Sequence, residues 1–220
     1  MNFLQLCQRL RSEAGIAGVG PSTVINQSGE LGRIVNHIQD AYEDIQNKHD
    51  DWSFLRNDFS FNCVIGTQNY AQSTVANLSN WKKDSFRLYL TTINDEQWIR
   101  YMEWDLFRDS RLYGPISTTT GRPIDFTVKP DKSLSVWPIP DNTYTIRGEY
   151  YRIPYVLSVD ADVPIFDRYH MAIVFNALMR YAAFVSDPTL YAYAQKEYGR
   201  LIGKLERERA MSIGISGAMA

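Results

Sequence analysis

RPIDFTVKPDKSLSVWPIPDNTYTIRGEYYRIP at residues 122–154, followed by VLSVDADVPIFDRYH at residues 156–170, decides the fold of this chain. Apolar and polar residues alternate in three runs of this stretch, which is the period of half-buried strands. The segments at 129–132 and 137–142, rich in Pro, Asp and Asn, predict the turns between these strands. After Pro164 the period becomes helical. The stretch therefore predicts a compact β-unit that leads directly into helices.

Outside this stretch the pattern is helical at both ends and strand-like in the middle. Apolar stripes predict helices at residues 2–14, 29–50 and 165–185, and Asp187-Pro188 predicts the N-cap and first residue of a further helix. Alternation predicts more strands at 59–65, 85–92 and 97–104. A polar loop is predicted at 66–83. The segment at 105–112 is ambiguous, and a short helix is one reading of it.

The order of these elements predicts an α+β protein, with a helical layer from N- and C-terminal helices plus an antiparallel β-rich middle. We expect a discontinuous helical domain at 1–58 and 160–211 and a β-rich domain at 59–159. Residues 212–220 are small and weakly apolar, which predicts a flexible C-terminal tail.

Composition excludes several classes of function. The formal net charge of −2 and the pI of about 5.9 argue against a bulk basic patch that grips duplex DNA. Cys7 and Cys63 are not spaced as a zinc site or a disulfide scaffold. The N-terminal residues lack the pattern of a signal peptide, and the apolar run at 171–185 is too short and too polar for a bilayer. We therefore expect no membrane anchor.

The sequence offers no metal or cofactor motif. His37, His49 and His170 stand in no metal-binding spacing, and the cluster at 49–51 is better explained as the polar end of a helix. Asp160 and Asp162 are better explained as helix N-terminal residues than as the start of a calcium loop. We expect no metal site and no cofactor.

Catalytic residues are also not expected. The carboxylates near the β-unit that could serve a hydrolase are Asp125, Asp131, Asp141 and Glu149. All but Glu149 are explained at least as well as turn or strand-surface residues. The tyrosines and Trp137 of the β-unit, interleaved with Arg147 and Arg152, could stack bases, but a core and interface role is favoured.

The helix predicted at 165–185 is apolar on nearly every face, so it must be covered on nearly every face. Two explanations stay open at this point. A neighbouring subunit could supply the cover, or the helix could pack between a sheet and other helices of its own chain.

Nine residues in the second half of the chain carry a family resemblance, within a Pro-x-Pro-Asp strand end, a tyrosine-rich strand and a helix start marked by a proline and a tyrosine. They are Pro138, Pro140, Asp141, Tyr144, Tyr150, Tyr151, Pro154, Pro164 and Tyr169. With the flanking helices, this order is similar to the head–tail adaptor (connector, or upper tail-tube) proteins of tailed, mainly short-tailed, bacteriophages.

The resemblance implies a structural virion protein of the neck or tail, assembled in the host cytoplasm, and no enzyme. Such adaptors form a homo-oligomeric ring, typically a dodecamer, below the portal protein. The ring supplies a docking surface for the tail nozzle or tail-tube protein, and double-stranded DNA passes transiently and non-specifically through its lumen. Other tail-tube or baseplate components, and a glycan-binding or hydrolytic β-domain, remain as alternatives.

We predict the partner interface on the C-terminal helices and the tail. The predicted residues are Ile165, Tyr169, Ile173, Phe175, Met179, Arg207, Arg209, Met211, Ile213 and Ile215.

Overall fold

The computed structural model describes residues 1–166 and 168–209. Its helices are α1 Phe3–Glu13, α2 Gly29–Asn47, α3 Trp104–Arg111, α4 His170–Val185 and α5 Pro188–Arg209. Its strands are β1 Arg56–Asn62, β2 Asn69–Tyr70, β3 Leu78–Trp81, β4 Arg87–Leu90, β5 Asp95–Trp98, β6 Arg100–Tyr101, β7 Thr120–Gly121, β8 Asp125–Val128, β9 Leu134–Trp137, β10 Ile139–Pro140 and β11 Thr145–Arg152. Helices at both ends and a largely antiparallel β middle confirm the predicted α+β class.

The chain divides into two compact units. A helical unit combines Met1–Phe54 with Pro154–Ala220, and a β-unit comprises Leu55–Ile153. That these units are domains with the boundaries predicted from the sequence stays a prediction, because a domain must also fold by itself.

Helix α4 lies at the centre of the helical unit. It contacts α1, α2 and α5, and ten of its sixteen residues are buried. The apolar residues of its first three turns are therefore covered by helices of the same chain. This corresponds to the second explanation of the all-round apolar pattern to the extent that α1, α2 and α5 of the same chain supply the cover.

The start of α4 differs from the prediction. The helix begins at His170 and not at Ile165. Phe166 is buried instead against the rings of Tyr42 and Phe54, with centroid distances of 5.3 and 5.2 Å. The preceding residues are thus held by ring packing outside the helix.

Asp160 and Asp162 do not cap α4. Their main-chain carbonyls accept hydrogen bonds from Leu4 and Phe3 at the start of α1, at 3.3 and 2.7 Å. The carboxylate of Asp160 accepts from the amide of Val24 at 2.6 Å, and that of Asp162 accepts from residues of its own turn.

The β-unit contains two main sheets. One has the order β1-β11-β4-β5, with β3 also paired to β11, and the other has the order β2-β9-β8-β6. The pairs are antiparallel except β6–β8 and the small β7–β10 pair. The three strands predicted in the deciding stretch are present as β8, β9 and β11.

The predicted polar loop at 66–83 was wrong in part, because it contains β2 and β3. Leu78 and Trp81 of β3 are buried, and this strand pairs with β11. Four residues with only two apolar side chains are too short a run to show a strand period.

The inner faces of the two main sheets share one core. Phe86, which precedes β4, stacks on Phe126 of β8 with ring centroids 4.1 Å apart. Leu88, Val136 and Ile146 are buried in the same cluster. The opposite face of β8 is covered by α3, whose Phe107 is buried.

Candidate partner interface

The apolar surface of the helical unit includes a group of residues at the turn between α4 and α5, which we call the elbow. Ser186 adopts a left-handed conformation there, with φ of 57°, and Asp187 caps α5 by accepting from the amides of Thr189 and Leu190 at 3.0 and 2.9 Å. The exposed apolar residues of the elbow are Phe184 (55% exposed), Val185 (42%), Tyr191 (40%) and Tyr193 (46%).

These four residues are not among the interface residues predicted from the sequence. Phe184 and Val185 were included only in the all-round apolar helix, and the buried residues of α4 end at Ala182. The tyrosines flank Ala194, which is buried, so they project from the sides of α5. The sequence did contain a signal for Phe184 and Val185. The apolar run of α4 continues to Val185, whereas the residues that are buried by other elements end at Ala182.

The predicted interface residues in the middle of α4 are covered within the chain. Ile173 has no exposed surface, and Phe175 is buried with its ring edge-on to Tyr193 at a centroid distance of 5.8 Å. Met179 is half-buried.

The two residues predicted before α4 are half-buried and engaged in hydrogen bonds. The amide of Ile165 donates to the hydroxyl of Tyr42 at 3.2 Å. The hydroxyl of Tyr169 donates to Glu208 of α5 at 2.6 Å, and this hydrogen bond to a carboxylate raises the pKa of Tyr169.

The remaining predicted residues belong to the end of the chain. Arg207 is exposed and Arg209 is half-buried, with its Nε 3.6 Å from Glu208. Met211, Ile213 and Ile215, with the predicted tail at 212–220, lie outside the described residues. A role of these residues in partner contacts stays a prediction.

The β-unit places its candidate carboxylates in structural contacts. Both oxygens of Asp125 are bound by arginines, Oδ1 by Arg100 at 2.7 Å and Oδ2 by Arg111 at 2.9 Å. Asp131 accepts hydrogen bonds from the amide and hydroxyl of Ser133 at 3.0 and 2.6 Å, and these bonds lower its pKa.

The other two carboxylates are engaged in a similar way. Burial raises the pKa of Glu149, but hydrogen bonds from Arg56 and Lys82 outweigh burial and leave the pKa below its ordinary value. Asp141 accepts from the hydroxyl of Tyr144 at 2.7 Å, and burial together with this bond raises the pKa of Tyr144 to about 12. The pKa values of Asp131 and Glu149 are both lowered, whereas the general acid of a glycosidase needs a raised pKa.

The cations on the outer face of the five-stranded sheet are also paired. Arg147 binds Glu96 at 2.6 Å, and Arg87 lies 3.6 Å from the same carboxylate. Arg87 also lies over the ring of Trp98, at 4.0 Å from its centroid. Trp137 is buried, and its indole N–H donates to the carbonyl of Ile116 at 3.0 Å. These contacts compete with stacked bases or bound phosphates.

The described residues show no group of three or more His, Cys, Asp or Glu side chains able to hold a metal ion. His49 lies 3.1 Å from Glu206 and edge-on to the ring of Trp52. Cys7 and Cys63 are buried free thiols, and burial raises their pKa to about 12 and about 11. In the part of the chain that the structure describes, we find no helix with the length and apolarity to cross a membrane.

A comparison with family models matches the family described as SU10 adaptor protein over residues 1–217. The matched range includes both the helical unit and the β-unit. No curated protein matches the sequence significantly.

Proposed function

The chain belongs to the SU10 adaptor protein family, and from this premise we propose that its copies form a ring that joins the portal to the tail. Family membership confirms the resemblance to phage head–tail adaptors that the sequence indicated. In our proposal the ring, expected to contain twelve copies, lies in the virion neck after assembly in the host cytoplasm. It provides a docking surface for the tail nozzle or tail tube, and double-stranded DNA passes through its lumen.

The observation that carries this proposal is the extent of the family match. It covers residues 1–217 of 220 and so extends over both the helical segments and the β-unit. A structural role is therefore the role proposed for the helical unit and the β-unit together.

The charge distribution supports passage of DNA without retention. Proteins that hold duplex DNA neutralise its phosphates with unpaired Lys and Arg side chains. The net charge here is −2, and Arg56, Arg87 and Arg147 of the sheet each have a carboxylate partner. A lumen lined by such a surface would offer DNA few strong contacts.

A role without catalysis is part of the same proposal. The four candidate carboxylates are all engaged in contacts within the fold. Asp125 and Glu149 bind arginines, Asp131 accepts a hydrogen bond within a turn, and Asp141 accepts one from a tyrosine. A hydrolase needs at least one carboxylate that is free to reach substrate. We therefore propose a structural adaptor and not a hydrolytic β-domain. Turnover of a polysaccharide by the purified protein would contradict this.

The experiment that tests the ring combines the purified chain with the portal protein encoded with it. Electron microscopy of the mixture should show a second ring stacked on the portal ring. A chain that stays monomeric and binds no portal, even at high concentration, would contradict the proposal. Binding to a tail-tube protein and not to the portal would favour the alternative of another tail component.

A shortened chain tests the predicted attachment of the C-terminal segment. Deletion of residues 210–220 leaves all described contacts of α5 in place, including those of Glu206 and Glu208. The shortened chain should keep its far-ultraviolet circular dichroism and melting temperature and bind the portal more weakly. Unfolding of the shortened chain would show instead that these residues belong to the core.

A further inference from the structure

Helix α2 and the turn after it carry an acidic surface. Asp40 and Asp44 lie beside Arg180 of α4, with the closest approach of Asp40 to Arg180 at 3.7 Å. Glu43, Asp50 and Asp51 are exposed and form no ion pair within the described residues. We call Glu43, Asp50 and Asp51 the α2 acidic face.

Helix α5 carries a matching row of cations. Lys196, Arg200, Lys204 and Arg207 follow one another at spacings of four, four and three residues, so they lie along one side of the helix. All four are exposed. Arg200 pairs with Glu197 at 2.7 Å, whereas the other three have no ion pair in the described part of the chain. We call Lys196, Lys204 and Arg207 the α5 basic row.

Two glycines lie beside the basic row. A Cβ atom added to Gly199 or Gly203 would meet nothing within 4 Å. Glycine inside a helix costs about 1 kcal/mol relative to alanine. No contact among the residues that the structure describes requires these glycines. Close approach of another backbone is a physical reason for them, because it needs a helix surface without side chains.

We propose that the α5 basic row of one copy docks on the α2 acidic face of a second copy of this chain. The proposal rests on the proposed ring, since it names the surfaces by which neighbouring copies meet. A ring needs two different and complementary surfaces on each copy, and these two are of opposite charge. Three unpaired carboxylates face three unpaired cations, so association would neutralise both surfaces.

Both surfaces extend along the end of a helix. Lys196 and Lys204 lie eight residues apart, which is about 12 Å at the rise of an α-helix. Glu43 lies on α2, and Asp50 and Asp51 lie in the turn that follows this helix. Gly199, which is exposed, and Gly203, which is half-buried, would let the two helices approach more closely than long side chains permit.

The test reverses the charges on one surface and then on both. The variant with K196E, K204E and R207E should associate with itself roughly tenfold more weakly or worse, because three attractive pairs become repulsive. Combining it with E43K, D50K and D51K should restore association. The matched control is K83E, R108E and K132E, which changes the net charge by the same amount on the β-unit. Association is measured by sedimentation velocity at low salt, alone and with the portal protein present.

Each outcome decides a different point. The contact is supported if the α5 reversal weakens association, the combined variant restores it and the control leaves it unchanged. If the wild-type ring forms and the α5 reversal leaves it intact, the contact is overturned while the ring stands. If the wild type forms no oligomer even on the portal, the proposed ring is overturned and this contact with it. Loss without rescue also counts against the contact, because the acidic face is then not its partner.

Discussion

Arg111, the last residue of α3, donates two hydrogen bonds to Oδ2 of Asp125, from Nε at 3.1 Å and from Nη2 at 2.9 Å. The carboxylate of Asp125 is 1% exposed, and its other oxygen accepts from Arg100. The ion pair thus fixes α3 to the outer face of β8. Arg111 also lies over the ring of Trp137, at 4.1 Å from its centroid.

Replacement of Arg111 by Met should lower the free energy of unfolding by about 3 kcal/mol, because one oxygen of a buried carboxylate loses its donors. Chemical denaturation followed by tryptophan fluorescence measures this change. Arg108→Met on the same helix is the control. Arg108 pairs with the exposed carboxylates of Asp105, at 3.2 Å, and Asp109, at 3.0 Å, so its replacement should leave the free energy of unfolding nearly unchanged. Equal effects of the two variants would mean that the buried pair adds no stability.

The role of Asp125 shows what the sequence could not predict. Alternation around Phe126 placed β8 correctly, because strand period is a local property. The burial of Asp125 depends on Arg100 and Arg111, 25 and 14 residues away, and on a helix packed over the strand. The sequence therefore indicated a strand-surface residue, and tertiary packing made it a buried ion-pair partner.

The sequence predicted the apolar character of α4 but not which of its residues are exposed. The apolar run of α4 was evident from the sequence, but Ile173 and Phe184 carry the same signal although one is buried and the other exposed. The difference arises from where α1, α2 and α5 contact α4. The cap at Asp187 was correct because it depends only on the next three residues.

His37 on α2 should make the helical unit less stable at mildly acidic pH. Its Nε2 is buried without a hydrogen-bond partner among the described residues. Burial lowers the pKa of His37, Arg180 and Arg33 act in the same direction, and Asp40 opposes them. The unfolded chain therefore binds this proton more tightly, so stability is complete above about pH 6.5 and falls as the pH drops through the lowered folded pKa.

The variant His37→Gln should flatten this decline by at most about 1.4 kcal/mol per pH unit, which is the limit for a single proton. Unfolding free energies of the wild type and the variant between pH 7.5 and pH 5 give the difference. His49→Gln serves as the comparison for a histidine that lies 3.1 Å from a carboxylate. An identical pH dependence of the wild type and His37→Gln would contradict the assignment.

The glycines of α5 allow stability and assembly to be separated. Gly199→Ala and Gly203→Ala should each raise the free energy of unfolding of the protomer by about 1 kcal/mol, because alanine favours helix and its Cβ has no atom of the described residues within 4 Å. Gly148→Ala is the matched control and should destabilise, since its Cβ would lie 3.1 Å from Phe59 and from the carbonyl of Ser85.

If a second copy packs closely on α5, the same two α5 substitutions should weaken assembly while they raise the melting temperature. Calorimetry and sedimentation velocity on one preparation measure both properties. Stronger assembly in step with higher stability would indicate that no backbone approaches these glycines.

The β-unit should fold as an independent domain, because its two ends meet on neighbouring strands. Arg56 at the start of β1 pairs with Tyr151 near the end of β11. A fragment of residues 55–153 keeps this pairing and the core around Phe126, so it should unfold cooperatively and give a dispersed NMR spectrum.

A fragment that begins at residue 59, the boundary predicted from the sequence, and ends at residue 153 is the matched comparison. It loses Arg56, Asn57 and Asp58, which pair with Tyr151, Tyr150 and Glu149, and it loses the ion pair of Arg56 with Glu149. We expect its free energy of unfolding to be lower by at least about 1 kcal/mol, since several backbone hydrogen bonds are removed. Equal stability of the two fragments would place the boundary at residue 59. An unfolded 55–153 fragment would show that the β-unit depends on the helical segments of the chain and is not a domain.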